Sequence, residues 1–341
     1  MKWLKRILWA VLGLIVLVAV ALPFVVGLRP IIGPKARPLT DRRFEATPER
    51  LERGRYLATS VSGCLYCHGE LDWNAPGFPI KPGTEGVGRS LAEEGLPFVS
   101  APNITPDPET GAGTWTDDML ARAIREGIGH DGRTLFPMMP YTQYRYMSDE
   151  DLASVVVYLR SLPAVRKAQA APAIPFPVNR FINAVPEPVE QVVPQPDRAR
   201  QVEYGGYLVR IGACRDCHTP QTPEGQPIAA LELAGGFVLQ GPYGKVTSGN
   251  ITPDPSGIPY YTEELFLEMM RTGMVKARKI HDQMPWSLYG RQPDDDLKAM
   301  FAYLRTVTPA KHRIDNTLPM TACLVCGATH GGGDLNVPPA Q

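Results

Sequence analysis

Hydrophobic residues are arranged along this chain in two ways, as one unbroken run and then as a stripe that recurs. From Ile7 to Leu28 there are 22 residues without a charge. At about 1.5 Å per residue, such a run crosses the roughly 30 Å hydrocarbon core of a bilayer. Lys2, Lys5 and Arg6 precede it, which puts the N-terminus on the cytoplasmic side. Trp3 and Trp9 fit an interfacial aromatic belt. Ala19-Val20-Ala21 resembles a signal-peptide cleavage site. However, the apolar run continues through Leu22, Phe24, Val25, Val26 and Leu28, so residues 1–28 are expected to remain as an anchor.

Further on, the spacing becomes helical. Leu152, Val155, Val156 and Leu159 fall at i, i+3, i+4 and i+7, and Leu297, Met300, Phe301 and Leu304 repeat that stripe. Helix starts are marked as well. Thr47-Pro48-Glu49 places a capping hydroxyl before a proline and an acid. Trp115-Thr116-Asp117-Asp118 matches Tyr261-Thr262-Glu263-Glu264, and glycines at 127 and 273 close the helices that follow.

These correspondences make the chain an internal repeat. Gly54-Arg55-Tyr56-Leu57 matches Gly206-Tyr207-Leu208 with a one-residue gap, and Asn103 to Pro108 recurs identically at Asn250 to Pro255. Met139-Pro140-Tyr141 matches Met284-Pro285-Trp286, and both halves end on Tyr-Leu-Arg. The expected organisation is an anchor over 1–28, a Pro- and Arg-rich tether over 29–46, and a first domain over 47–165. A Pro-rich surface linker over 166–198, a second domain over 199–310 and a tail over 311–341 complete it. Proline, at 35 of 341 residues, points to long ordered loops between the helices.

The candidate chemistry lies at matching points in the two halves. Cys64-Leu65-Tyr66-Cys67-His68 and Cys214-Arg215-Asp216-Cys217-His218 both read Cys-x-x-Cys-His, the attachment pattern of c-type haem. Two thiols one helical turn apart can each add to one haem vinyl group, and the next histidine is carried to the iron. A redox dithiol would not need that histidine, and a zinc site would want a second Cys/His pair close by. The sequence therefore predicts two covalently bound haem c groups. Covalent haem is attached outside the bacterial cytoplasm, so the domains are expected in the periplasm, tethered to the cytoplasmic membrane. The formal net charge is zero, which gives no case for a nucleic-acid partner. Cys323 and Cys326 form a third Cys-x-x-Cys with Gly327 where a haem motif has histidine. A disulfide is expected there in an oxidising compartment; a metal site with His330 or a decayed haem site is the lesser reading.

Each half reads as helix, haem motif, long loop, helix, Met loop, helix. This resembles the class I cytochrome c domain, so the fold class expected is all-α, with two such domains in tandem behind a transmembrane helix. The resemblance implies a methionine sixth ligand before the last helix, a position that Met139 and Met284 hold. His130 and His281 are competing ligands, but they do not align with each other. The shared blocks also resemble the cytochrome c subunits of membrane-bound bacterial alcohol and gluconate dehydrogenases. That likeness implies a dihaem carrier with no substrate chemistry of its own. It would pass single electrons between a dehydrogenase or respiratory complex and a downstream acceptor. A dihaem cytochrome c peroxidase is the alternative; it would need one iron with an open position.

Overall fold

The computed structural model describes residues 2–223 and 225–337. Its longer helices are α1 (Lys2–Val26), α2 (Pro48–Tyr56), α3 (Asp117–Glu126), α4 (Asp149–Ser161), α5 (Gln201–Ile211), α6 (Glu263–Thr272) and α7 (Asp294–Leu304). α1 is 25 residues long, and none of its most apolar stretch is buried against the protein. It is long and apolar enough to cross a membrane.

In each half the opening helix crosses the closing one, α2 on α4 and α5 on α7. Both crossings depend on a glycine. A Cβ at Gly54 would lie 1.9 Å from the Ser154 carbonyl oxygen, and one at Gly205 would lie 1.8 Å from that of Ala299. No side chain fits, so the helix backbones touch there. The expected stripes face inward: Leu152, Val155, Val156, Leu159, Leu297, Met300, Phe301 and Leu304 are all buried. The caps form as read, with the hydroxyls of Thr47, Thr116 and Thr262 accepting from the backbones of Arg50, Met119 and Leu265.

The one-residue gap lies elsewhere than expected: Gly54 is the counterpart of Gly205, so the opening helices align without a gap, and the extra residue of the first half falls between Leu57 and Cys64. Leu57–Val61 is a π-helical turn, closed by Ser62 N–H donating to the Leu57 carbonyl over 2.8 Å. An inserted residue is thus absorbed as a wider turn immediately before the first motif. α5 reaches the second motif without one.

The all-α expectation needs correction. Among the described residues there are four antiparallel two-stranded hairpins: Arg89–Leu91 with Leu96–Ala101, Val238–Gly241 with Gly244–Thr247, Met274–Val275 with Arg278–Lys279, and Met320–Ala322 with Thr329–Gly331. They form where the long loops double back, three of them through a glycine and the Met274–Lys279 hairpin through Lys276 at φ 53°, and the strands are too short to give a period-two pattern.

The tether and linker are also more ordered than composition implied. Arg37 pairs with Asp118 and Glu126 at 2.7 Å each, and the backbone N–H of Thr40 donates to Asp118, also over 2.7 Å. The linker contains a helical turn, Val178–Phe181, and its Val193 carbonyl accepts from Asp149 N–H at the start of α4. The expected Cys323–Cys326 disulfide is not formed. Both are free thiols, buried among two imidazoles rather than facing each other alone.

A single core runs through both halves, from Leu57, Leu65 and Val155 to Leu208, Phe266 and Met300. Reciprocal hydrogen bonds join the halves. The Tyr56 hydroxyl donates to Asp296 of the other half, and the Tyr207 hydroxyl donates to Asp151 over 2.6 Å. Tyr56 and Tyr207 are equivalent in the repeat, as are Asp151 and Asp296, so the seam is close to two-fold symmetric.

Candidate functional site

Both Cys-x-x-Cys-His segments are set off from the helix before them by one left-handed residue, Gly63 at φ 62° and Ala213 at φ 54°. A separate helical turn follows, Cys64–Cys67 or Cys214–His218. Residues three apart share a helix face, so each pair of thiols looks the same way. Burial pushes the thiols of Cys64, Cys214 and Cys217 up to about 12 and also raises Cys67. The two motifs are close enough for the charge of Cys67 to raise Cys217 further. A Cβ on Gly212 would lie 3.6 Å from the Val61 carbonyl of the other half.

The two motif histidines are held identically. His68 Nδ1 lies 2.8 Å from the Pro102 carbonyl, and His218 Nδ1 lies 2.7 Å from the Gly249 carbonyl. A carbonyl only accepts, so Nδ1 carries the proton and Nε2 keeps its lone pair. That is the tautomer a metal binds, with the second nitrogen oriented by a carbonyl. Burial lowers the pKa of both histidines, which keeps the imidazoles neutral.

The repeated Asn-Ile-Thr-Pro-Asp-Pro block explains how those carbonyls are placed. Pro102 and Gly249 each come directly before it. Asn103 Oδ1 accepts from Thr105 N–H at 2.9 Å and from its hydroxyl at 2.7 Å, while Nδ2 donates to the Val165 carbonyl at 2.7 Å. Asn250 makes the same set: Thr252 at 2.9 and 2.8 Å, and the Ala310 carbonyl at 2.8 Å. Each asparagine therefore ties the histidine's acceptor to the chain leaving the closing helix. The sequence marked this block as repeated but did not disclose its acceptor, because a backbone carbonyl leaves no residue signature.

Met139 and Met284 occupy equivalent loops. Met139 N–H donates to Phe136 and Met284 N–H to His281, each at 3.0 Å. Both side chains are half-buried against the core, whereas neighbouring Met138 is 44% exposed. The aromatic residue two positions on anchors each loop. A Cβ on Gly127 would meet the Tyr141 ring at 2.6 Å, and one on Gly273 would meet Trp286 at 2.6 Å. Both glycines have positive φ, 71° and 70°, so helix end and ring close on one another only without a side chain. His130 is exposed and stacks on Trp115 with ring centres 4.3 Å apart. His281 is exposed too, and its Nδ1 accepts from Gln283 N–H at 3.1 Å.

The residues present fit a covalent porphyrin. Each half offers two thiols on one face, a neutral imidazole with its Nε2 free, and a loop methionine. Beside the first motif, the Tyr66 hydroxyl is buried without a hydrogen-bond partner among the described residues, as are the Nε of Arg89 and the Oε2 of Glu94, two residues ion-paired through their other atoms at 2.5 Å. Such orphans fit a bound group with a polar edge.

Comparison with known proteins agrees. The cytochrome c family model matches residues 51–163. The "Diheme cytochrome c-type" of Cereibacter sphaeroides is 30% identical over 259 residues, 72% of this chain and 82% of that protein. This chain belongs to the cytochrome c family. Membership brings covalently bound haem c, and electron transfer is the work of such proteins. One component of the nicotinate dehydrogenase of Pseudomonas putida is 32% identical over 253 residues. The cytochrome c subunit of the quinone-dependent alcohol dehydrogenase of Gluconobacter oxydans is 29% identical over 284 residues. This chain covers only 19% and 56% of the lengths of those two relatives, although they match 70% and 77% of it.

Proposed function

We propose that this chain is a membrane-tethered dihaem c-type cytochrome. It passes single electrons between a periplasmic or membrane dehydrogenase, or a respiratory complex, and a downstream acceptor. The observation that carries the reading is the pair of identical His–carbonyl bonds, His68 to Pro102 and His218 to Gly249. Cys64 and Cys67, and Cys214 and Cys217, are the attachment thiols. His68 and Met139 would hold the iron of one haem, and His218 and Met284 that of the other. When bound, the haem would supply a one-electron iron couple, and a thioether ligand would raise its potential. The protein's own part is to keep both imidazoles neutral and oriented and to hold the two motifs close together. Dehydrogenase partnership is supported by the names of relatives, among them cytochrome subunits of fructose and gluconate dehydrogenases.

The experiment is a haem count with ligand tests. A pyridine haemochrome assay should give two haems per chain, one for each Cys-x-x-Cys-His. Reduced protein should resist carbon monoxide, and Met139→Ala or Met284→Ala should each open one haem to it. A carbon monoxide-binding haem in the unaltered protein, with enzyme-like peroxide turnover, would instead establish the peroxidase alternative; two methionines in matched loops speak against it. Tethering is checked on the mature protein. An N-terminus near Leu22 would make residues 1–21 a cleaved signal peptide.

A further inference from the structure

The motif that this function does not absorb is the third cysteine pair. Cys323, Cys326, His312 and His330 are all buried, and one ligand atom from each lies within 4.8 Å of the other three. We propose that the C-terminal tail folds around a zinc ion held by His312, Cys323, Cys326 and His330.

Four ligand atoms stand close enough together for one ion to reach them all, and the one edge with a defined length suits zinc. Cys323 Sγ lies 3.5 Å from His312 Nε2. A tetrahedral zinc at its usual distances of roughly 2.3 Å from sulfur and 2.0 Å from nitrogen sets that edge at about 3.5 Å. Both imidazoles present the right nitrogen. His312 Nδ1 donates to the Ala234 carbonyl over 3.0 Å, which leaves Nε2 unprotonated and directed at the cysteines. His330 Nδ1 faces the Gly331 carbonyl at 3.2 Å, and its Nε2 is fully buried with no partner among the described residues. A buried ring nitrogen left without a bond is costly unless something outside the protein chain satisfies it.

The local chain is shaped for the purpose. The strands Met320–Ala322 and Thr329–Gly331 pair with Thr321 opposite His330, so the hairpin carries the cysteines at its turn and a histidine on its return strand. Cys323 N–H donates to Ala328 at 2.8 Å, and Gly327 N–H donates back to Cys323 at 2.9 Å. Gly327, at φ 76°, makes that tight reversal possible. Two sulfurs and two imidazoles in a closed, buried set select zinc over harder cations. Binding releases the two thiol protons to solvent and forms two Zn–S and two Zn–N bonds, with no change of oxidation state.

The ion would also brace the second haem motif. His312 docks on the loop at Gly236, where a Cβ would meet its ring at 2.6 Å. The neighbouring Gly235 N–H donates to the His218 carbonyl over 2.7 Å.

The test uses the full chain, purified in detergent without a histidine tag. Metal analysis should find about one zinc per chain beside the haem iron, and zinc-edge absorption should show two sulfurs at about 2.3 Å and two nitrogens at about 2.0 Å. Cys323→Ser/Cys326→Ser should lose zinc at least tenfold while haem content stays unchanged. Zinc absent from a wild-type chain whose intact mass shows a disulfide, about two mass units below the dithiol, would overturn the proposal. Zinc with only nitrogen and oxygen neighbours would overturn it too, as would a further haem on these cysteines. The wild-type measurements decide the matter even if the variant fails to fold, and the haem count is read separately from zinc.

Discussion

At the scale of single residues, the unit that repeats is the histidine together with its carbonyl and the asparagine that fixes it. Losing Asn103 or Asn250 strands a buried threonine and frees the loop that presents the acceptor. Asn103→Ala and Asn250→Ala should each cost about 2 kcal/mol of stability. Each should also raise the potential of the haem it serves, because an imidazole without its acceptor is less basic and stabilises ferric iron less. Spectroelectrochemical titration beside thermal unfolding separates the two effects; a lower melting temperature with unchanged potentials would reduce the asparagines to loop braces. Met138→Leu should leave both potentials where they were, since that side chain points to solvent. The candidate Cys-x-x-Cys-His residues were legible in the sequence because that motif is written in residue type and spacing, whereas Met139 and Met284 were singled out only by the repeat and the family resemblance. Pro102 and Gly249 were not, because what they contribute is backbone. His312 was not either: it stands eleven residues before Cys323, outside any short motif.

At the scale of elements, glycine decides where helices and loops meet. Gly54 and Gly205 let the opening and closing helices touch, and Gly127 and Gly273 let an aromatic ring lie on the end of a helix. Gly205→Ala would drive a methyl into the Ala299 carbonyl, which is backbone and cannot step aside. The two helices must part, at a cost of about 3 kcal/mol. Calorimetry should show a melting temperature lower by several degrees, and an unchanged value would mean that the crossing is looser than its geometry implies. The helices themselves were readable from Thr47, Thr116 and Thr262 and from the two apolar stripes. The hairpins were not, because strands of two to six residues carry too little alternation to distinguish them from loop. Nor was the hold of the tether on α3, which needs Arg37 and Asp118 to be known as neighbours 81 residues apart.

At the scale of the whole molecule, the question is what keeps two halves of one chain in register so that their motifs stay close. The seam answers with paired polar contacts set in a shared core. Asp151 is fully buried there and accepts from Arg53 twice at 2.8 Å and from Tyr207 at 2.6 Å. Burial alone would raise its pKa, but the Arg53 guanidinium and the bonds from Tyr207 and Gln195 outweigh that and leave it below the usual carboxylate value. A carboxylate with a depressed folded pKa contributes stability above its unfolded value of about 3.9, and that contribution is lost as pH falls through the lower folded value. The melting temperature should therefore hold steady from neutral pH down to about pH 5 and fall steeply below about pH 4. Asp151→Asn keeps the shape but leaves Arg53 buried beside a neutral amide, so it should cost about 3 kcal/mol at pH 7. The deficit against the wild type should shrink as pH drops below about 3.9, where the unfolded chain takes up a proton that the folded, ion-paired carboxylate does not. Calorimetry of both proteins between pH 3 and pH 7 makes the comparison. A deficit that stays constant over that range would mean that Asp151 acts through shape and hydrogen bonding, and that its charge does not hold the halves together.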